Sequence, residues 1–314
     1  MNEAYLLDLS ARLRDGLSRL TADRRQRHDQ FIRDQQQADG GFSGREGGSD
    51  LYYTSFAVRS LAMLDTLSQQ DCVRIGGYLK PFVSQKLSVV DLVNWLYTAF
   101  VIQVTGSVDV LQDDVTEWVQ RVEQQLYEVR TTDGGFAKSV EGARGSTYHS
   151  FLVVLALQLL GQTVRQPNAL VQFVYDRQRD DGGFVEIDPM KRSGTNPTAA
   201  AVGLLRMLGG LDDEISRDVR GFLREVRSDE GGFQANSRIP FADGLSTFTG
   251  LLTVQDLQLD GVLEPRRVER LLTQWLEFPT GGFRGASWDE QADVEYTFYG
   301  LGTLALLWSA ADAT

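Results

Sequence analysis

The Gly-Gly-Phe motif recurs five times along the chain at nearly constant spacing, and this repetition restricts the fold more than any other feature. The first glycines of the copies are residues 40, 134, 182, 231 and 281, which leaves gaps of 94, 48, 49 and 50 residues. The first gap is about twice the others, so we expect a degenerate copy near 84–90, where the chain reads SQKLSVVDLVNWLYTAF. Self-similarity at a fixed period of this size is the signature of a repeat architecture. Six units therefore account for almost the whole chain.

Each unit contains two helices of different character. The first is polar on one face, as at 168–179 and 265–278, and the second is markedly more apolar. The apolar copies are 53–64, 147–160, 197–208, 245–254 and 296–308. A helix that is apolar all round has to be buried, whereas an amphipathic helix needs only one dry face. Six such pairs predict an all-α (α/α)6 toroid with an inner and an outer helical layer, and an open solenoid is the alternative.

The motif itself is expected to end the first helix of each unit. Glycine tolerates the left-handed backbone of a helix C-cap, and the phenylalanine is expected to pack back as an apolar plug. We expect residues 1–314 to form a single domain, in which 1–37 is an N-terminal helical cap or supplies the first outer helices.

Composition and charge exclude several classes of function. The formal net charge is −12, which argues against a nucleic-acid partner because such partners favour dense lysine and arginine. The one cysteine, Cys72, excludes an internal disulfide and fits a reducing cytosol. No apolar run reaches the ~20 residues that span a bilayer, and residues 1–20 lack the apolar core of a signal peptide. We therefore expect a cytoplasmic protein without a membrane span.

Gly-Gly-Phe at this period resembles the repeats of protein prenyltransferase β subunits and of squalene and diterpene cyclases. The resemblance covers nearly all of the chain, through five copies in register. It implies an (α/α)6 barrel that binds an isoprenoid chain in an aromatic-lined cavity. A fold does not determine a function, so the site has to be argued separately.

In such a ring, the loops after each motif and the first turns of the inner helices gather at one mouth. Helix N-termini favour an anion there, and arginine offers a planar fork of donors to a diphosphate. The candidates for this clamp are Arg144, Arg192, Arg238, Tyr148 and His149. The alternatives are ordinary loop charge and, for His149, a hydrogen-bonded residue at a helix start.

Aromatic residues cluster at the starts of the inner helices. Such rings can line an isoprenoid tunnel and stabilise a carbocation. The candidates for this wall are Tyr53, Trp95, Phe248 and Tyr296. For any one of them, plain core packing is the alternative.

The zinc ligands of protein prenyltransferases are incomplete in this chain. The resemblance places Asp243 at the position of the aspartate ligand, but Leu245 stands where the cysteine belongs and Tyr296 where the histidine belongs. We therefore expect no zinc and no zinc-dependent protein prenylation. Mg²⁺ with a diphosphate stays open because Asp50, Asp243 and Asp293 precede inner helices at like positions. All three aspartates are equally explained as helix caps.

Terpene cyclases that begin with a protonation carry an Asp-x-Asp-Asp run, and this chain has none. Its nearest segment is 293–296, in which Glu295 takes the middle position. A buried glutamate with a raised pKa could protonate an alkene, with Asp293 or Tyr296 orienting it, and Asp243 is a further candidate carboxylate. The alternative makes Asp293 an N-cap and Glu295 a partner of the helix dipole.

These observations lead to one principal hypothesis. The chain is expected to be an isoprenoid-binding enzyme, prenyltransferase-like or terpene cyclase-like, that does not use zinc. The alternative is a non-catalytic binding or assembly protein that retains the toroid. A partner subunit, docked on the N-terminal stretch 3–37, and a homo-oligomer both stay open.

Overall fold

The computed structural model of the chain describes residues 4–111 and 115–310, and these residues form helices joined by turns. The helices in chain order are α1 (Tyr5–Gly16), α2 (Ala22–Arg33), α3 (Leu51–Met63), α4 (Gln69–Leu79), α5 (Val89–Gly106), α6 (Val115–Glu128), α7 (Thr147–Leu159), α8 (Pro167–Tyr175), α9 (Thr195–Leu208), α10 (Asp213–Glu225), α11 (Gly244–Asp256), α12 (Pro265–Leu271) and α13 (Val294–Ala310). A π-helical turn, Leu272–Leu276, continues α12. From α2 onward, even-numbered helices, of which α6 and α10 are strongly amphipathic, alternate with odd-numbered ones such as α5 and α7, which are apolar on all sides. The six predicted helix pairs are therefore present.

The described residues fall into two compact units. The first contains the residues up to Arg121 together with those from Leu276 onward, and the second is Val122–Trp275. In the first unit α13 packs against both α1 and α3, and α3 packs against α5. In the second unit α9 packs against α7, α8 and α11. The last inner helix thus lies beside the first one, within a single unit.

The inner helices α3 and α11 begin at aspartates that cap them. Asp50 accepts a hydrogen bond from the Tyr53 amide at 2.7 Å, and Asp243 accepts one from the Ser246 amide at 2.7 Å. Such a cap satisfies one of the four amides that the first turn of a helix leaves unpaired. The capping explanation of these aspartates is confirmed.

The Gly-Gly-Phe turns are buried as predicted, but they do not cap the helices before them. Phe184 is completely buried, and the phenylalanines of the other four copies are at most 1% exposed. However, α8 ends at Tyr175, well before Gly182. The chain first makes a separate tight turn, in which the Arg179 amide donates to the Gly183 carbonyl at 2.9 Å. The prediction that the motif caps the preceding helix was wrong, because Gly182 uses its left-handed backbone to form this separate turn.

A buried hydroxyl fastens every one of these turns to its inner helix. The Phe184 amide donates to Thr198 Oγ1 at 2.9 Å. The equivalent acceptors are Thr54, Ser150, Thr247 and Thr297, at 2.9 to 3.2 Å from the corresponding amides. A buried amide without a partner is costly, so each hydroxyl stabilises the turn above it.

The first glycine of each turn also presses against the following outer helix. Gly182 has φ +83°, and a Cβ there would lie 2.3 Å from the Asp218 carbonyl oxygen of α10. In the last copy, a Cβ on Gly281 would lie 2.3 Å from the Arg27 carbonyl oxygen. Because Arg27 belongs to α2, the last turn packs on a helix near the start of the chain.

Among the described helices, α5 is the one with the length and hydropathy of a membrane span. Its 18 residues have a mean hydropathy of 1.3, and 56% of them are buried inside the protein. Buried core helices can have the same length and hydropathy, so this single helix is weak evidence for a membrane span.

Candidate functional site

Glu295 lies in the first turn of α13 and faces the start of α3. The Tyr52 hydroxyl donates a hydrogen bond to Glu295 Oε1 at 2.7 Å. Burial raises the pKa of Glu295, and it outweighs the opposing effect of the Tyr52 hydrogen bond. A carboxyl group with a raised pKa keeps its proton closer to neutral pH, which is the property that a general acid requires.

Four aromatic rings pack against one another at the starts of α3 and α13, and one of them, Tyr52, is bonded to this carboxyl group. Tyr52 and Phe56, one turn apart on α3, have ring centroids 4.9 Å apart. The Phe56 centroid lies 5.3 Å from that of Phe298 and 5.4 Å from that of Tyr299, both on α13. Ring faces carry negative charge density that attracts a cation. We call Tyr52, Phe56, Phe298 and Tyr299 the aromatic wall.

Two predicted wall residues, Tyr53 and Tyr296, pack on loops. A Cβ on Gly44 would lie 2.5 Å from the Tyr53 ring, and one on Gly285 would lie 2.7 Å from the Tyr296 ring. Both glycines occupy the same place in their repeats, two residues after the motif phenylalanine. These tyrosines therefore cover equivalent loops, whereas the hydroxyl bonded to Glu295 is that of Tyr52.

Asp293 is held by an arginine and by its own helix. Its carboxylate accepts from Arg45 Nε at 2.9 Å and from the Tyr296 amide at 2.8 Å. Arg45 also donates to Asp289 at 2.9 Å. Burial raises the pKa of Asp293, and Arg45 opposes that rise. Burial would likewise raise the pKa of Asp289, but the hydrogen bonds from Arg45 hold it below its ordinary value. Asp293 therefore anchors the start of α13, where Glu295 sits.

The prediction that Trp95 lines a tunnel was wrong. Its indole nitrogen donates to the Leu79 carbonyl at the end of α4 at 3.0 Å, and its ring lies 5.2 Å from that of Trp118 on α6. Trp95 is 1% exposed and packs toward outer helices. Because α5 is apolar on all sides, its sequence does not show which side faces inward.

The predicted arginine clamp lies in the second unit, on loops of successive repeats. Arg144 pairs with Asp188 of the next loop at 3.4 Å, and the Arg144 side chain is 57% exposed. Arg192 donates to Ser237 of the next loop at 3.0 Å. The Arg238 side chain is exposed. Two of the three arginines thus connect neighbouring loops, which agrees with the alternative that they are ordinary loop charges.

His149 is engaged at the start of α7. Its Nδ1 lies 2.8 Å from Ser146 Oγ, and its amide donates to the same oxygen at 3.0 Å. Ser146 in turn donates to Glu186. Burial, followed by the nearby charge of Lys138, lowers the pKa of His149. The hydrogen-bonded helix-start interpretation is the one that the structure supports. Sequence reasoning did not find Glu186 as the partner of Ser146, because these two residues lie 40 positions apart on different loops.

The remaining candidates of the second unit have structural partners. Tyr148 is 40% exposed, and its amide lies 3.4 Å from Glu186 Oε1. Phe248 is 4% exposed. Asp243 caps α11, and burial raises its pKa.

The residues at the zinc-ligand positions do not fit that metal. Asp243 is a helix cap, Leu245 has no ligand atom, and the Tyr296 ring packs over a loop. Structural zinc sites in proteins need three or four nitrogen, sulfur or carboxylate ligands. Over residues 4–111 and 115–310, no three His, Cys, Asp or Glu side chains are grouped so that they could hold a metal ion.

Several solved structures share this fold at low identity. Candida albicans protein geranylgeranyltransferase-I complexed with GGPP superposes with a TM-score of 0.72, at 15% identity and 90% coverage of both chains. The type II terpene cyclase MstE from Scytonema gives 0.63, at 16% identity, covering 96% of this chain and 99% of its own. The α-1,6-mannanase GH76A of Salegentibacter sp. HEL1_6, complexed with α-1,6-mannotriose, gives 0.59 at 10% identity, covering 96% and 98%. One architecture therefore serves prenyl groups and sugars.

Among proteins of curated function, none matches this sequence. The family model of the prenyltransferase alpha-alpha toroid domain matches residues 4–95 and 78–313. Together these ranges span almost the whole chain, and they agree with the six helix pairs. The chain belongs to the prenyltransferase alpha-alpha toroid family.

Proposed function

We propose that this protein is an isoprenoid-binding enzyme of the terpene cyclase type, in which Glu295 is the proton donor. The observation that carries the proposal is a glutamate with a raised pKa, hydrogen-bonded by Tyr52 and set beside the aromatic wall. Two structural neighbours were solved with geranylgeranyl compounds: the Candida transferase with GGPP and MstE with geranylgeranyl dihydroxybenzoate. Their shared fold makes the same class of ligand a reasonable first choice here.

The chemistry follows from these positions. Glu295 transfers its proton to one carbon of an alkene, and the π electrons form the new C–H bond. The other alkene carbon becomes a cation, which the wall rings Phe56 and Tyr299 stabilise through their faces. The Tyr52 hydroxyl keeps its hydrogen bond to the carboxylate that remains. A later loss of a proton from carbon to solvent balances the reaction, so the net change is an isomerisation.

The proposed reaction does not require zinc. Its acid is a carboxyl group of the chain, and the positions of the family's zinc ligands hold Leu245 and Tyr296. Mg²⁺ is tested as an additive, because a diphosphate substrate would carry charge that a divalent cation can neutralise.

The experiment is product analysis with purified protein. Farnesyl and geranylgeranyl diphosphates are incubated with the wild type, Glu295→Gln and Glu290→Gln, with and without Mg²⁺. Glu290 is an exposed carboxylate on the preceding loop, so its variant is the matched control. We expect Glu295→Gln to lower turnover by roughly 10²–10⁴-fold, as loss of a general acid does, while the control is unaffected. Full turnover by Glu295→Gln would remove the acid assignment.

A non-catalytic binding or assembly protein is the second candidate. It is favoured by the missing Asp-x-Asp-Asp run and by the loop contacts of Arg144 and Arg192. Under this alternative the diphosphates raise the melting temperature of the wild type and of Glu295→Gln equally, and no product forms.

A further inference from the structure

A cavity of about 380 Å³ lies in the first unit, between α1, the C-terminal half of α3 and the C-terminal half of α5. Its walls are largely apolar, with Leu6, Leu13, Met63 and Val104 among them. Val104 is 69% exposed, so α5 presents uncovered apolar surface here. Small-molecule sites typically have volumes of about 300–1,000 Å³ and mostly apolar walls with a few placed polar groups.

Arg59 is the polar group inside this cavity. It lies midway along α3, and its guanidinium carbon is 3.9 Å from the ring centroid of Phe298 and 5.1 Å from that of Tyr97. Its Nε is buried without a hydrogen-bond partner. The guanidinium lies over the rings of Phe56, Tyr97 and Phe298, and these ring contacts give the buried Nε–H no acceptor.

An arginine of this kind is unusual. The side chain is always charged and carries five N–H donors. Partly buried charges are normally paired, and aromatic faces satisfy only the charge, not the donors. The cavity walls contain two further charged residues, Arg14 and Asp65, which pair with each other at 3.4 Å and are 64% and 72% exposed. The interior therefore offers one cation with free donors, enclosed by apolar and aromatic side chains.

We propose that this cavity binds an anionic amphiphile, a single apolar chain whose carboxylate or phosphate head is held by Arg59. The apolar walls match the chain, and the planar guanidinium matches two oxygens of the head. The proposal goes beyond the enzymatic function above, since the proton donor Glu295 and its partner Tyr52 do not line the cavity; Phe298 is the ring of the aromatic wall that does.

The test is calorimetric titration of the full chain with dodecanoate, dodecyl phosphate and dodecanol, each below its micelle-forming concentration. The two anions share the chain but differ in the head group, so comparing their affinities shows whether a carboxylate or a phosphate head is preferred. The variants are Arg59→Met, which keeps the unbranched stem without charge, and Arg59→Lys, which keeps the charge without the fork. Arg74→Met, an exposed arginine on α4 of the same unit, is the matched control.

We expect at least one anion to bind the wild type and Arg74→Met equally. Arg59→Met should weaken that binding roughly ten- to a hundredfold, the value of a hydrogen-bonded charge, and Arg59→Lys should be intermediate. The melting temperature of unliganded Arg59→Met should not fall, which shows that the variant folds. Glu295→Gln should bind like the wild type, so that this proposal and the enzymatic one fail independently. Equal binding of dodecanol, wild-type affinity in Arg59→Met, or no binding of either anion by the wild type would overturn the proposal.

Discussion

Replacing Gly182 by alanine tests how the repeats are packed together. Two penalties arise at this position. An L-residue at φ +83° pays about 1–2 kcal/mol for its left-handed backbone. The new Cβ would also lie 2.3 Å from the Asp218 carbonyl oxygen, whereas ordinary contact begins at 3.4 Å.

Since the obstacle is the backbone of α10 and not a flexible side chain, the helix itself has to move away by ~1 Å. Such overpacking costs about 1–3 kcal/mol. The two penalties together give about 2–5 kcal/mol of lost unfolding free energy. Gly161→Ala is the matched control in the same unit, because Gly161 has φ +68° and nothing within 4 Å of a Cβ.

The assay is thermal unfolding of both variants, followed by far-ultraviolet circular dichroism. A domain of this size loses about 2–4 °C of melting temperature per kcal/mol. Gly182→Ala should therefore melt about 2–12 °C below Gly161→Ala, since the control carries only the backbone penalty. If the two variants melt together, the close approach to α10 does not stabilise the fold and the packing argument is refuted.

Three further predictions concern buried polar groups. Thr198→Val should lose about 1–3 kcal/mol in urea unfolding because the Phe184 amide is left without its acceptor, whereas Thr198→Ser should stay near the wild type. Asp133→Asn should lose about 1.5–3 kcal/mol at neutral pH, because Arg177, which is 3% exposed, loses its carboxylate partner at 2.6 Å and keeps only the contact with Asp188 at 3.9 Å. Burial would raise the pKa of Asp133, but its hydrogen bonds and Arg177 hold it below the ordinary value, so this stability is present above about pH 4 and disappears on acidification. Glu295→Gln should melt above the wild type at neutral pH, because the raised pKa of Glu295 means that its charged form destabilises the fold. That advantage should vanish as the pH falls to about 4.3, and its persistence in acid would contradict the assignment.

The repeat architecture could be predicted because its signal is periodic and local. Two layers follow from the contrast between an amphipathic helix such as α10 and an apolar one such as α7. The same contrast limits the prediction, because an apolar helix has no polar side to orient it. This is why Trp95 was expected on a cavity wall although it packs toward Trp118.

The site was harder to predict because several of its side chains bond to residues of the next repeat. Arg144 and Arg192 bond to loops 44 and 45 residues further along the chain, which no local pattern shows. For Arg59, the sequence itself contains a signal. Arg59 is the one charged residue in α3 (Leu51–Met63), an otherwise uncharged inner helix, and a mid-helix cation in such a helix needs either a partner or a ligand.

The hydroxyl that holds each Gly-Gly-Phe turn to its inner helix also makes the position of that helix independent of the loop between them. From Phe136 onward, 14 residues separate the phenylalanine amide from the hydroxyl that accepts its hydrogen bond. Between Phe42 and Thr54 the separation is 12 residues, but the hydrogen bond has the same length of 2.9 Å as that between Phe136 and Ser150. Two residues have thus been gained or lost in the intervening loop without disturbing the joint below it. Loop residues such as Arg144, which bonds to another loop, can therefore be exchanged or deleted in evolution while the helices keep their places. A helical repeat fold built this way can acquire a new ligand through changes in its loops alone.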